Sequence, residues 1–156
     1  MGIAITLQDY LDKSGIDYDI LPHSHTTSSI GTAKVTGISG DYIAKSVILE
    51  DEDGYIMAVI PATYHVELGK LSHQLERRLG LATELELAEL FVDCNLGAIP
   101  PIGEAYHLDV VIDDSLSKCP DVYFEAGDHA DLIHMRGYDF QKLMQNARHS
   151  NFSRRI

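Results

Sequence analysis

The chain has no tryptophan, only two cysteines and five prolines, and half as many basic as acidic side chains. Cys94 and Cys119 lie far apart and outside any CxxC pair. That spacing argues against a disulfide framework or a zinc knuckle and suits a reducing cytoplasm. No apolar run approaches the roughly 20 residues that a membrane-spanning helix needs. The first residues lack the basic-then-apolar layout of a secretory signal. The expectation is therefore a cytoplasmic protein with no membrane partner. "MGIAIT" satisfies the loose myristoylation pattern at Gly2, but Ile3 and Ile5 read better as the start of a packed segment. With a net charge of −12, the overall field will not hold long stretches of nucleic acid, so any such contact must be local. Lys70, Arg77 and Arg78 make a modest cluster on a predicted helix. Arg148, Arg154 and Arg155 fall in a last stretch that reads as solvated, with residues 151–156 as a short basic tail.

What is present is enough for one domain over residues 1–150, since 156 residues can bury a proper core. "TLQDYLDKSG" reads as a helix capped by Thr6 and stopped by Gly15. "IDYDILPH" alternates like a strand, and a second helix starts near Thr27 or Ser28 and closes at Gly37. "YIAKSVILEDEDGYIMAVIPA" is a hairpin around Glu50 to Gly54. Helices follow in "GKLSHQLERRLG", ending at Gly80, and in "TELELAELF", capped by Thr83. "YHLDVVIDDSL" and "DVYFEAG" read as strands, and a last helix covers about Tyr138 to Ala147. The mixture predicts an α+β (mixed α/β) domain without internal repeats.

Several motifs can be weighed by their chemistry. "AKS", Ala44 to Ser46, fails as a phosphate-binding loop, because glycines are missing and a strand follows instead of a helix. Lys45 then stands near a strand start, on the same side of the pleat as Val47 and Leu49. Its ordinary fate is to snorkel outward; beside a cavity, its ammonium could fix a phosphate or a polarised carbonyl. His23, His25 and His129 invite a metal-dependent hydrolase, yet no spaced ligand set such as HExxH accompanies them. Cys94 lacks a nucleophile signature, and Ser46 is not in a GxSxG elbow. "GAIPPIG" is more pointed. Pro100 and Pro101 fix the chain direction, while Gly97 and Gly103 permit turns and close approaches. Such a turn serves equally well as a rigid connector or as a ligand-facing wall. "EAGDHAD" is a second glycine-containing polar turn that could line the same mouth.

Taken in order, "YDILPHSHTTSS", "AKSVIL", "VIPATYHVELGKL", "GAIPPIG" and "VYFEAGDHADLIHM" resemble the YbaK/ProX family of aminoacyl-tRNA deacylases. These are editing domains that also occur inserted in bacterial prolyl-tRNA synthetases. The resemblance runs from about Tyr18 to Leu143. It implies a mixed, largely antiparallel β-sheet or barrel-like core wrapped by helices. It also implies hydrolysis of the ester that joins a wrong amino acid to the 3′ end of a tRNA. No cofactor is implied. The family's functional lysine falls on Lys45, beside Ser46, and its glycine-proline loop on Gly97, Pro100, Pro101 and Gly103. His23, His25 and Thr26 on one side, and Gly127, Asp128 and His129 on the other, would flank the substrate. The 2′-hydroxyl of the terminal adenosine is proposed to assist in this family. An aminoacyl ester is already reactive, so placing a water and stabilising charge can suffice without a triad. The expected partner is the acceptor end of a mischarged tRNA, with a synthetase or an elongation factor able to deliver it. A non-catalytic module that binds a ligand or protein through the same pocket is the rival.

Overall fold

In the computed structural model, which describes residues 2–156, the chain opens with α1 (Ile5–Ser14). Its buried face is Leu7 and Leu11, and Gly15 ends it at φ +72°. Thr6 is inside the helix rather than at its cap: the cap position is Ala4, and the Thr6 N–H donates to the Asp93 carboxylate at 2.9 Å. A side chain distant in sequence thus does the work expected of a local one. After β1 (Asp19–Pro22), α2 (Ser29–Thr36) starts at Ser28, whose hydroxyl accepts from the Gly31 N–H at 3.1 Å, and stops at Gly37. The hairpin follows as β2 (Ala44–Asp51) and β3 (Gly54–Pro61), in antiparallel register from Ala44↔Pro61 to Asp51↔Gly54.

A short β4 (Tyr64–Val66) leads into α3 (Leu68–Leu75), which ends four residues before Leu79 because Glu76 adopts a left-handed conformation. The expected extension to Gly80 does not form; Arg77 instead turns back to hold Asp51 through two hydrogen bonds of 2.7 Å. Next come β5 (Gly80–Leu81) and α4 (Glu84–Leu90), whose Thr83 and Glu86 form a full capping box. The chain then passes through the proline-rich turn to β6 (Asp109–Asp113), β7 (Asp121–Glu125) and β8 (Asp131–Arg136). It closes with α5 (Gly137–Leu143), β9 (Arg148–Ser150) and β10 (Ser153–Arg155).

Five strands make the main sheet, in the order β5-β2-β3-β6-β9, with β6 parallel to both β3 and β9. A second sheet, β1-β8-β7, is antiparallel throughout, and β10 pairs with β4. The strands do not close into a barrel: β5 and β9 stand at the two edges of the main sheet. This settles the sheet-or-barrel alternative in favour of open sheets. Period-two alternation divides the core. Ala44, Ile48, Met57, Val59 and Ile112 face one cluster, together with α1, α5 and the second sheet. Leu49, Ile56, Ala58, Ile60 and Val111 face the other, with Leu71 and Phe152. A sheet covered on both faces gives β3 its continuous buried run from Ile56 to Pro61.

The expectation of a solvated tail holds for its arginines, which stay exposed, but not for its backbone or for Phe152. Residues 153–155 pair with β4, and Phe152 is completely buried. Asp113 is the clip: one of its oxygens accepts from the Phe152 and Ser153 N–H groups at 2.8 and 3.0 Å, the other from the Ser115 N–H and hydroxyl. Arg155 adds an ion pair to Asp41 at 2.7 Å. The basic residues of that stretch misled because an apolar Phe152 among them outweighs their charge in deciding burial.

Candidate active site

The uncovered edge of β2 organises the site. β5 pairs with β2 only at Leu49 and Glu50. From Ala44 to Ile48, β2 instead forms one wall of a cavity of about 360 Å³, a size within the range of small-molecule sites. Thr27, the cap Ser28 and the start of α2 at Ser29 and Ile30 make a second wall, and Leu81, Ala82 and Leu87 a third. Gly97 and Ile99 bring the proline-rich turn to it, and Glu125 reaches it from the end of β7. Among the described lining residues, Lys45 carries the one positive charge and Glu125 the one negative charge.

Lys45 neither snorkels away nor disappears into the core. It is half-buried, and its ammonium donates to the Ala62 carbonyl at 3.1 Å. Burial lowers its pKa below the ordinary lysine value. An ammonium has three donors, so the bond to Ala62 fixes its position and leaves two for a ligand. Ser46, the next residue, points to the opposite side of the pleat and donates to the Ile99 carbonyl at 3.0 Å. That bond ties β2 to the proline-rich turn across the cavity.

Gly97 shows why this turn tolerates no side chain at its start. Its φ is +83°, and an added Cβ would stand 2.6 Å from the Thr27 carbonyl oxygen and 3.0 Å from His129 Cε1. Two neighbours buttress the turn from behind. The Asn95 N–H donates to the Gly127 carbonyl at 2.8 Å, and His129 Nε2 donates to the Leu96 carbonyl at 2.5 Å. Pro100, Pro101 and Gly103 do not line the cavity; all three are buried. At Gly103 a Cβ would run into Val110 and Met57. They anchor the turn in the core, while Gly97 and Ile99 present it.

The family model for the aminoacyl-tRNA editing domain matches residues 23–143. The chain belongs to this editing-domain family. Solved structures agree on the fold. A candidate trans-editing enzyme for prolyl tRNA synthetase superposes with a TM-score of 0.84 at 22% identity, covering 97% of this chain and 96% of that one. The hypothetical protein APE2540 gives 0.84 at 21% identity, over 96% and 99%. A candidate signal transduction protein from Marinobacter aquaeolei VT8 gives 0.81 at 18% identity, covering 97% of this chain but 31% of that one. At these identities the likeness speaks for the fold alone. No protein of curated function matches the chain.

Within this editing domain the remaining sequence-predicted residues collect behind the cavity. The His23 N–H donates to the Ala130 carbonyl at 2.8 Å, and the Thr26 N–H to that of His129 at 3.3 Å. Thr26 is buried and its hydroxyl meets that of Thr32 at 2.7 Å. His25 is exposed, its ring 5.4 Å from that of His129. Gly127, at φ +104°, lies against Ala4 and Cys94. Asp128 accepts from the Ala130 and Asp131 N–H groups at 3.1 and 3.0 Å. Beside it, the neighbouring Asp128 carboxylate, foremost, pushes the Asp131 carboxyl up to about 6. No three His, Cys, Asp or Glu side chains converge as a metal-holding group among the described residues. Cys94 is no nucleophile: burial, foremost, pushes its thiol up to about 12. The editing domain's helices include none long and apolar enough to cross a membrane, among the described residues.

Sequence reasoning missed Glu125. It opens the "EAGDHAD" stretch expected to line the mouth, but it was not singled out there, because its significance depends on His23, distant in the chain, meeting it at 3.1 Å.

Proposed function

We propose that the protein is a trans-editing deacylase of the cytoplasm, hydrolysing the ester between a wrongly attached amino acid and the 3′ end of a tRNA. The observation that carries this reading is the single cavity shared by Lys45 and the Gly97–Ile99 segment in a chain of the editing-domain family. Lys45 holds the substrate at its ester carbonyl or its terminal phosphate, the two places where an acceptor end gathers negative charge. The Ser29 and Ile30 N–H groups at the start of α2 have no partner within their own helix, and these residues line the same wall, where the helix start favours an anion. The apolar residues Ile30, Ile48, Leu87 and Ile99 form a slot for an amino-acid side chain. Discrimination in such a slot is about 1–3 kcal/mol per methylene, so a fixed wall matters more than a strong contact. The cavity and its Lys45 equally suit a binding module, and only chemistry separates the two.

A panel of mischarged tRNAs incubated with the protein, under single-turnover conditions, tests the reading. One or more should lose its amino acid well above the spontaneous rate, and Lys45→Ala should lose that excess by about 10²–10³-fold, the value of one well-placed charge donor. A Lys45→Ala protein as fast as the parent refutes the role of Lys45. Absence of deacylation across the panel returns the protein to the binding class.

A further inference from the structure

Glu125 and His23 form a buried pair at the cavity that the proposed role of Lys45 leaves unused. Their side chains are 3% and 2% exposed, yet Glu125 is a lining residue of the cavity. Hydrogen-bond accounting fixes the protons. His23 Nδ1 stands 2.6 Å from the Ser24 carbonyl oxygen, which can only accept, so Nδ1 carries a proton. His23 Nε2 faces Glu125, at 3.1 Å from Oε1 and 3.3 Å from Oε2. With Nδ1 already protonated, one further proton must lie between Nε2 and the carboxylate; otherwise two lone pairs would meet in a dry interior. That proton can rest on either side without changing the net charge of the pair.

The third partner completes the orientation. The Thr32 hydroxyl donates to Glu125 Oε1 at 2.5 Å, the shorter of its two acceptor contacts, with the Ser28 carbonyl at 3.1 Å, and it meets the Thr26 hydroxyl at 2.7 Å. Oε1 is therefore occupied by two donors, and Oε2, with only the longer contact to His23, has acceptor capacity left. A carboxylate fixed directly by a histidine and a threonine, with one oxygen in reserve at a cavity, is built to exchange protons. An alternative use, docking the α-ammonium of an amino acid, fits less well. His23 already supplies the counter-charge, and a second ammonium would share the cavity with Lys45.

We propose that Glu125, oriented by His23, is the proton-transfer group of this cavity, taking the proton from the attacking water and returning it to the leaving ribose oxygen. The inference rests on the deacylase reading. In the first step the water oxygen bonds to the ester carbonyl carbon, its proton passes to Glu125 Oε2, and the carbonyl π pair moves to the oxygen, toward the Lys45 ammonium. In the second, the carbonyl re-forms, the bond to the 3′-oxygen breaks, and that oxygen leaves with the bonding pair and takes the proton from Glu125. The products are a free amino acid and a free 3′-hydroxyl; no other reactant is consumed. Glu125 is the catalytic residue and His23 a positioning one.

The test uses a mischarged tRNA that the parent protein deacylates and Lys45→Ala does not, so the underlying reading is verified first. Glu125→Gln keeps size and an acceptor oxygen but takes no proton. Its single-turnover rate should fall on the order of 10²-fold or more, with tRNA binding and the melting curve near those of the parent. Glu125→Asp, with the carboxylate set back by one methylene, should be faster than Gln. Glu125→Ala should regain rate when formate is added, a response that a purely structural crosslink to His23 would not give. Glu125→Gln within about threefold of the parent overturns the inference. So does an Asp variant no faster than Gln, or an Ala variant indifferent to formate. Should Gln prove unstable, the comparison of Ala with and without formate decides alone.

Discussion

Replacing Gly97 by alanine is the sharpest perturbation of the cavity wall, because two separate obstacles meet at one atom. The φ of +83° already costs an L-residue about 1–2 kcal/mol. The added methyl would also stand 2.6 Å from the Thr27 carbonyl oxygen, a contact that only a backbone shift can relieve. Thr27 lines the cavity and immediately precedes Ser28, the cap of α2, so the shift must either widen the cavity or lift the turn off His129. Adding about 1 kcal/mol for that displacement gives a loss of about 2–3 kcal/mol. For a domain of this size, this is a fall of roughly 5–10 °C in melting temperature. Gly69→Ala is the matched control: it lies in α3, no atom stands within 4 Å of its added Cβ, and helix propensity favours alanine by up to about 1 kcal/mol. Thermal melts and single-turnover deacylation of both variants should show Gly97→Ala down in each assay and Gly69→Ala unchanged or more stable. A Gly97→Ala protein that melts with the parent and deacylates at its rate would refute the claim that this backbone position shapes the site.

Two further outcomes are expected. Asp113→Ala should cost about 3 kcal/mol, because the Phe152 and Ser153 N–H groups lose a buried acceptor. Hydrogen exchange should then show β9 and β10 opening while α1 stays protected. The Lys45-dependent part of the deacylation rate, parent minus Lys45→Ala, should decline with rising pH in a range below the ordinary lysine value of about 10.4. Burial lowers this group's pKa, so the active cation is lost early on the alkaline side. A decline centred at or above 10.4 would contradict that environment.

The sequence revealed what local chemistry decides. The β2–β3 hairpin, the Ser28 and Thr83 caps, and the stops at Gly15 and Gly37 all depend on residues a few positions apart, and each stands where the pattern put it. Gly97 was legible as a residue that must lack a side chain, though not which atom forbids one. What escaped was decided across the chain. Asp93 replaced Thr6 at the start of α1, and Arg77 left its predicted helix for Asp51. The strands β4, β5, β9 and β10 are two or three residues long and carry too little alternation to be seen. The double proline drew attention for its stiffness and is indeed a fixed element. It acts one layer back, in the core, where rigidity restrains the Gly97–Ile99 segment without touching the cavity. Glu125 lay in the flagged "EAGDHAD" stretch but did not stand out in it, because what distinguishes it is the imidazole of His23 and the hydroxyl of Thr32 that fold onto it.

An acidic chain can serve a nucleic-acid substrate if its grip is confined to one end. Affinity through counterion release needs several cations along a backbone track. Here the cluster expected around Arg77 is weakened, since that guanidinium is taken up by Asp51, and Arg155 is likewise held by Asp41. The cation that lines the candidate site is Lys45. On the proposed reading, the tRNA body therefore contributes little, and recognition falls to what one cavity can test: an ester carbonyl, a terminal ribose and a side chain. On the same reading, a domain built this way holds a free acceptor end only weakly. It also gains from that weakness, because a correctly charged tRNA is not held by its backbone while the slot decides.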